Sequence, residues 1–499
     1  MLKSGFGYLH HRRAVSNMSI GALAITLSGC LVGPNYHKPS VPVAPAFTEP
    51  SQPAAATAGP PAIAYHDWWK VFHDPVLDGM ETQADVANKD IRIAIAHVDE
   101  ASAATRSAHS YLLPSIAVGP SVSRNREAQN RPNNGNTQGQ AATYNDIQLP
   151  LIAGYEVDAW GRVRRSLESA RATQQATEAD LRFVRLSVEA TVAIDYFSLR
   201  ESDQELSILD DTIGDLTHGV GITTTRYRHG LSGVLAVDQA QTLLDQTNAQ
   251  RQALQIEREQ LEHAIAVLLG RTVEGFFLPQ QPSNSAPPEV PAGLPSDLLE
   301  RRPDIAEADR NVAATTAQIG VAKAAYFPQL SLTGVAGYES TNAASLLNWQ
   351  NTIATLAASA VAPIFTGGRL KAGVEQAQAS YRGSLAQYEK TVLTAYQEVE
   401  DQLAALHFLD GESQSEESAV SDARKAEQIA MQRYKAGLVG YLDVVYAQQS
   451  VLTNEQTAAQ ISGQRLVASV VLIKALGGGW AGGNAPSLEH HAASNERRD

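Results

Sequence analysis

Few side chains in this sequence are arranged to do covalent chemistry. Its one cysteine, Cys30, closes the run Leu27-Ser28-Gly29-Cys30. A lone thiol is available for acylation, and it excludes an internal disulfide or a multi-cysteine metal site. The 13 histidines are scattered, and His10-His11 and His490-His491 lie close to the two ends. No Gly-x-Ser-x-Gly, His-Glu-x-x-His, Walker loop or Gly-x-Gly-x-x-Gly occurs, so the spaced signatures of common enzymes are missing. Soft-metal handling favours methionine clusters, and beyond residue 30 only Met80 and Met431 remain. The expectation is therefore no enzyme, no catalytic residue, no metal and no cofactor other than a covalent lipid on Cys30.

The residues around Cys30 supply the context for that lipid. Residues 1–29 carry Lys3, Arg12 and Arg13 and no acid, followed by the apolar run Ile20 to Leu27. A basic start, a short apolar core and small residues at the end predict a signal peptide. The end of that run resembles the bacterial lipobox, which implies cleavage before Cys30 and acylation of it. Leu31, rather than Asp, follows, and the bacterial sorting pattern then implies the outer membrane. Beyond residue 30 no apolar run reaches the roughly 20 residues of a spanning helix. Alternating β-barrel strands would escape such a scan. The 499-residue chain has 53 acidic and 39 basic side chains, a formal charge of −14, which argues against nucleic acid as a partner.

Self-comparison shows a tandem repeat. Asp90 and Pro114 match Asp304 and Pro328 at an offset of 214. Gly161-Arg162, Tyr227-x-x-Gly230-Leu231-x-Gly233, Gln241 and Leu269-Gly270 match positions 207 residues later. The seven-residue difference lies between Pro114 and Gly161, a segment that holds the polar loop 131–136. Each repeat predicts a helix (about 88–111 and 303–325), two strands, a long helical tract (about 162–225 and 369–432), a glycine turn and a return helix (about 234–269 and 441–476). Leu254, Leu261 and Leu268 suggest a coiled-coil seam. Ile147, Leu149, Leu151, Ala153, Tyr155 and Val157 alternate with a mostly polar set, an apolar outside and a polar inside.

The expected domains are a signal peptide (1–29) and a lipidated extended segment (30–87). A first repeat follows (88–277, strands about 115–159, hairpin about 162–269), then a linker (278–302). A second repeat (303–480, strands about 330–365, hairpin about 369–476) precedes a tail (481–499). Two strands per repeat give four per chain. Four cannot close a barrel, and open edges in lipid leave backbone groups unpaired at several kcal/mol each. Several copies must pool their strands; two, three or four copies satisfy this arithmetic.

At this point a resemblance enters. Cys30 with Gly33-Pro34-Asn35-Tyr36, Trp68-Trp69-x-x-Phe72-x-Asp74-Pro75, Glu156-x-Asp158-x-Trp160-Gly161 and Arg226-Tyr227-x-x-Gly230-Leu231 lie in the first half. Arg301-Arg302-Pro303-Asp304-Ile305, Phe327-Pro328-Gln329-Leu330, Pro363-Ile364-Phe365-Thr366-Gly367-Gly368-Arg369 and Arg433-Tyr434-x-x-Gly437-Leu438 lie in the second. This set resembles the NodT-type outer-membrane lipoproteins of efflux systems, within the TolC-like family. The resemblance implies a mainly α chain with a membrane β-barrel: a homotrimer with a 12-stranded barrel in outer-membrane lipid and a long periplasmic α-helical barrel. It implies a passive conduit in a tripartite efflux system, working with a periplasmic adaptor and an inner-membrane pump of the resistance-nodulation-division type. Protein secretion, metal efflux and a periplasmic coiled-coil scaffold are the alternative readings. The resemblance also makes Asp443, Tyr434 and Tyr446 candidates for a ring that narrows the pore. The two turns, with Arg226, Tyr227, Gly230, Leu231 and Gly233 and with Arg433, Gly437, Leu438 and Gly440, become the adaptor-docking tips.

Overall fold

The computed structural model describes residues 31–42, 46–48, 67–128, 143–282, 286–288, 290 and 298–478. The expected signal peptide, Cys30, the loop 131–136, the tail 481–499 and part of the inter-repeat linker lie outside the described residues. The chain divides into two compact units. A sheet unit draws on Met1–Pro39, Val98–Thr177 and Ala308–Tyr388; a hairpin unit draws on Ser40–His97, Glu178–Glu307 and Glu389–Asp499.

The sheet unit contains β1 (Ser115–Val118), β2 (Ser121–Arg126), β3 (Thr143–Val157), β4 (Gln329–Ser340) and β5 (Thr352–Val361), all antiparallel. β1 and β2 lie one after the other along the same edge of β3, so they form a single strand interrupted at Gly119-Pro120. Proline cannot donate to a ladder, which explains the break. The four expected strands are therefore present, the first in two pieces. The register puts Val118, Val122, Leu149, Leu151, Leu332 and Leu356 on one face. Ser121, Ser123, Gln148, Ser331, Thr355 and Ser359 take the other, with Ile152, Val335, Ile353 and Val361 as large apolar exceptions. The apolar face is bare: Leu356 is 86% exposed. Among the described residues both outer edges, β1–β2 and β5, lack a strand neighbour.

The helices repeat the sequence offsets. In the order in which they are named here, α1 is Pro75–Ala87, α2 Lys89–Ser110, α3 Arg162–Arg228, α4 Val234–Leu268, α5 Pro303–Ala324, α6 Arg369–Lys435 and α7 Tyr441–Ala475. α3 and α6 each have 67 residues, α4 and α7 each 35, and α2 and α5 each 22. No described helix is long and apolar enough to cross a membrane. The hairpin unit packs Trp68, Phe72, Leu77, Phe197, Leu199 and Leu472 into one core. A second cluster near the turns holds Leu216, Leu243, Tyr434, Tyr441 and Val444. The leucine seam is partly buried. Leu254, Leu261 and Leu268 are half-buried, with Leu261 and Leu268 packed against the first core, and Arg258 and Glu262 of the same helix are enclosed. Ion pairs, described below, draw that polar side of α4 inward.

Candidate functional site

In the sheet unit, the motif residues build a junction between strand and helix. Asp158 accepts from the backbone N–H of Val163 and Arg164 (2.9 and 3.0 Å) and so caps α3, while Glu156 accepts from Nε and Nη2 of Arg162 (2.8 and 2.6 Å). Trp160 stacks on Phe327 and donates Nε1–H to the Pro328 carbonyl (2.8 Å), joining the two repeats. The stretch after Cys30 is fastened to the same place. Gly33 adopts φ +101°, and a Cβ there would meet the Gly320 Cα at 2.5 Å, so the close backbone approach requires glycine. Val32 N–H donates to the Trp160 carbonyl (3.2 Å), Arg165 donates to Asn35 Oδ1 (2.7 Å), and the Tyr36 hydroxyl donates to Asp309.

In the hairpin unit, each Arg-Tyr-x-x-Gly-Leu motif is first a helix end. Gly230 and Gly437 take positive φ (69° and 71°), and the N–H groups of Leu231 and Leu438 return to the carbonyls of Arg226 and Arg433. This is a Schellman closure, which satisfies the last carbonyls of α3 and α6. Gly233 and Gly440 differ: both have extended φ and act as N-caps of α4 and α7. Leu231 and Leu438 stand exposed at the turns. Arg226 crosses from α3 to α6, with its guanidinium 5.0 Å from the Tyr434 ring and Nη1 donating to the Lys435 carbonyl (3.2 Å).

The three gate candidates separate. Asp443 is exposed in the first turn of α7 and Tyr446, one turn on, is 64% exposed. Tyr434 is 4% exposed, packed edge-on against Tyr441 beneath Arg226. A side chain that narrows a passage needs an open face, which Asp443 and Tyr446 have and Tyr434 lacks.

Two buried polar clusters were not read from the sequence, because their members lie far apart along it. Asp203 accepts from Arg200 (2.6 Å) and Arg258 (2.7 Å), and Arg258 also holds Glu262 (2.7 Å). The same groups grip the start of the linker. Arg258 donates to the Leu278 carbonyl, Arg200 to the Pro279 carbonyl, and Gln281 N–H to Asp203. Arg302 similarly joins Asp304, Glu398 and the terminal carbonyl of α7 at Ala475. The second cluster is acidic. Trp68 donates Nε1–H to Glu189 (2.9 Å), and the neighbouring Glu81 is fully buried with neither carboxyl oxygen hydrogen-bonded among the described residues. Burial raises Glu81 well above the ordinary carboxyl range and lifts Glu189 from 4.5 to about 8.

For Glu189 the sign follows directly. Below about 4.5 the folded and unfolded states both hold the proton, and the contribution to stability is complete. As pH rises towards 8 the unfolded state ionises first, so stability is lost across that window and levels off above it. Glu189→Gln keeps an acceptor for Trp68. The variant is expected to melt with the wild type near pH 4 and above it at pH 8, as followed by helical circular dichroism; equal melting at both pH values would contradict the buried proton.

An antiparallel sheet, apolar and bare on one side, polar on the other and open at both edges, is a partial wall of a membrane β-barrel channel. The chain belongs to the outer membrane efflux protein family, whose model matches residues 82–271 and 294–478, one match per repeat. It is 31% identical to the probable efflux pump outer membrane protein TtgC of Pseudomonas putida over 467 residues, 93% of this chain and 96% of that protein. It is also 31% identical to the cation efflux system protein CusC of Escherichia coli O6:H1, over 92% of this chain and 97% of that one. The solved CmeC outer membrane channel of Campylobacter jejuni superimposes with a TM-score of 0.85 at 25% identity, covering 91% of this chain and 96% of that one. The fold is that of the TolC-like outer-membrane channels, and the protein is an outer-membrane efflux component.

Proposed function

We propose that three copies pool their strands into a 12-stranded barrel and their hairpins into a periplasmic helical tube. The assembly is a passive, water-filled conduit that receives small molecules from an inner-membrane resistance-nodulation-division pump through a periplasmic adaptor. The observation that carries this is the sheet: its apolar face needs lipid, and its two open edges need strands from another copy. The polar face then lines a lumen. The cargo follows from the pump. Relatives at the same identity carry names as different as a cation efflux protein and an efflux pump component, so the conduit itself does not specify it.

The conduit is tested in planar bilayers, where the purified trimer is expected to give discrete ion conductance. Protein that inserts without conducting overturns the reading. At the gate, symmetry copies of Asp443 lie close and narrow the passage, with Tyr446 beside them. Asp443→Ala is expected to raise single-channel conductance, and an unchanged value removes Asp443 from the constriction. Cys30 carries the acyl chains that anchor the mature N-terminus in the periplasmic leaflet. Cys30→Ser should abolish labelling by radioactive palmitate, and persistent labelling refutes the anchor.

A further inference from the structure

The hairpins of the two repeats are related by one offset, 207, without a gap. Every contact that repeat 1 makes with repeat 2 inside the chain therefore has a counterpart 207 residues on, from repeat 2 to a repeat 1 that this chain does not itself supply. Three internal contacts define the pattern. Arg226 lies over the Tyr434 ring, between α3 and α6. Tyr441 of α7 lies against Gly219 of α3, where a Cβ would sit 2.6 Å from the tyrosine hydroxyl. Glu201 of α3 extends its carboxylate over Gly463 of α7, in the space that a side chain there would need.

The shifted positions are Arg433 with Tyr227, Val234 with Ala426, and Phe408 with Ile256. All six residues are exposed. Tyr227 is 48% exposed, and the Arg433 guanidinium has no partner among the described residues. Phe408 and Ile256, at 67% and 62%, leave two large apolar side chains in water. The first shifted pair repeats the chemistry of its internal equivalent, a guanidinium and a phenol ring. The third replaces a carboxylate over a glycine by two apolar groups, which fit each other and would not fit the internal positions.

We infer that Arg433 of one copy stacks on Tyr227 at the end of the next copy's α3, with Phe408 of the same α6 against Ile256 of that neighbour's α4 farther along the seam. The occupant is a second copy of this chain, because only another repeat 1 presents the ring and the isoleucine at these spacings. Arginine–tyrosine pairs then alternate within and between copies around the tips, and a trimer closes a ring of six. The Arg-Tyr half of each turn motif serves assembly, and the exposed Gly-Leu half remains for the adaptor. This rests on the trimeric reading above.

The full chain carrying Arg433→Cys and Tyr227→Cys, treated with a short bis-maleimide, is expected to give covalent dimers and trimers on denaturing gels. Each single-cysteine variant should stay monomer-sized. Phe408→Cys with Ile256→Cys should behave alike. Arg226→Cys with Tyr434→Cys should join within one chain, as seen by peptide mass spectrometry. A native trimer that yields no inter-copy product from either of the first two pairs overturns the inference and leaves the trimer intact. Linking at Phe408–Ile256 but not at Arg433–Tyr227 overturns the tip pair. A monomeric native mass overturns the inference together with the trimeric reading.

Discussion

Leu151→Arg is expected to eliminate the trimer from the outer membrane. Leu151 sits midway along β3 on the apolar face, paired to Val118 on one side and Ala336 on the other. A guanidinium at that depth in lipid costs about 2–4 kcal/mol per copy. Three copies carry the change at once, so the assembled barrel loses roughly 6–12 kcal/mol against unassembled chains. The matched control is Gln148→Arg, three residues away on the same strand but on the opposite face. It should assemble normally and shift conduction towards anions, because an added cation in a lumen tunes selectivity without entering lipid. Heat-stable oligomers in outer-membrane fractions read the first effect, and reversal potentials in a salt gradient read the second. Normal assembly of the Leu151 variant would mean that this face does not meet lipid.

Asp203→Ala should destabilise the hairpin unit by about 3–5 kcal/mol, the cost of breaking a buried ion pair from one side. Its carboxylate lies between two guanidiniums, those of Arg200 and Arg258, and all three side chains are nearly inaccessible. Removing it leaves two enclosed cations facing each other, with Glu262 able to balance only one. It also frees the N–H of Gln281 and loosens the start of the inter-repeat linker. Loss of helical circular dichroism in guanidinium chloride measures the first effect, and new cleavage after residue 271 under limited trypsin measures the second. A change below about 1 kcal/mol would place the charges in water rather than in the core.

The helices and their repeat were legible because long runs without proline, ending at glycine, leave little choice of local structure. The predicted tracts end within a few residues of α3, α4, α6 and α7. The alternation in β3 predicted an apolar and a polar face, and the register supports both. The Trp68 motif that carried the resemblance lies in the core, and Arg302 of a second such motif forms an ion pair with Asp304 at the start of α5. The tips were legible as turns, and the structure divides their glycines into left-handed Gly230 and Gly437 and the N-caps Gly233 and Gly440. The heptad leucines of α4 marked a face that is partly buried, with Leu261 and Leu268 against the core, but the spacing could not show that Arg258 and Glu262 are enclosed as well. The resemblance grouped Tyr434 with Asp443, and the packing of Tyr434 beneath Arg226 separates them by exposure.

What the sequence by itself determined is therefore the local and the periodic: helix, strand, turn, the offset of 207, and one face of each element. Those follow from backbone preferences and from which side chains avoid water, and both act over a few residues. What only the tertiary structure decided is which distant groups share an enclosed space. Asp203 meets Arg258, the Glu81 carboxyl finds no hydrogen bond among the described residues and Tyr434 turns inward because burial removes water as the alternative partner. That competition is settled by all the surrounding elements together.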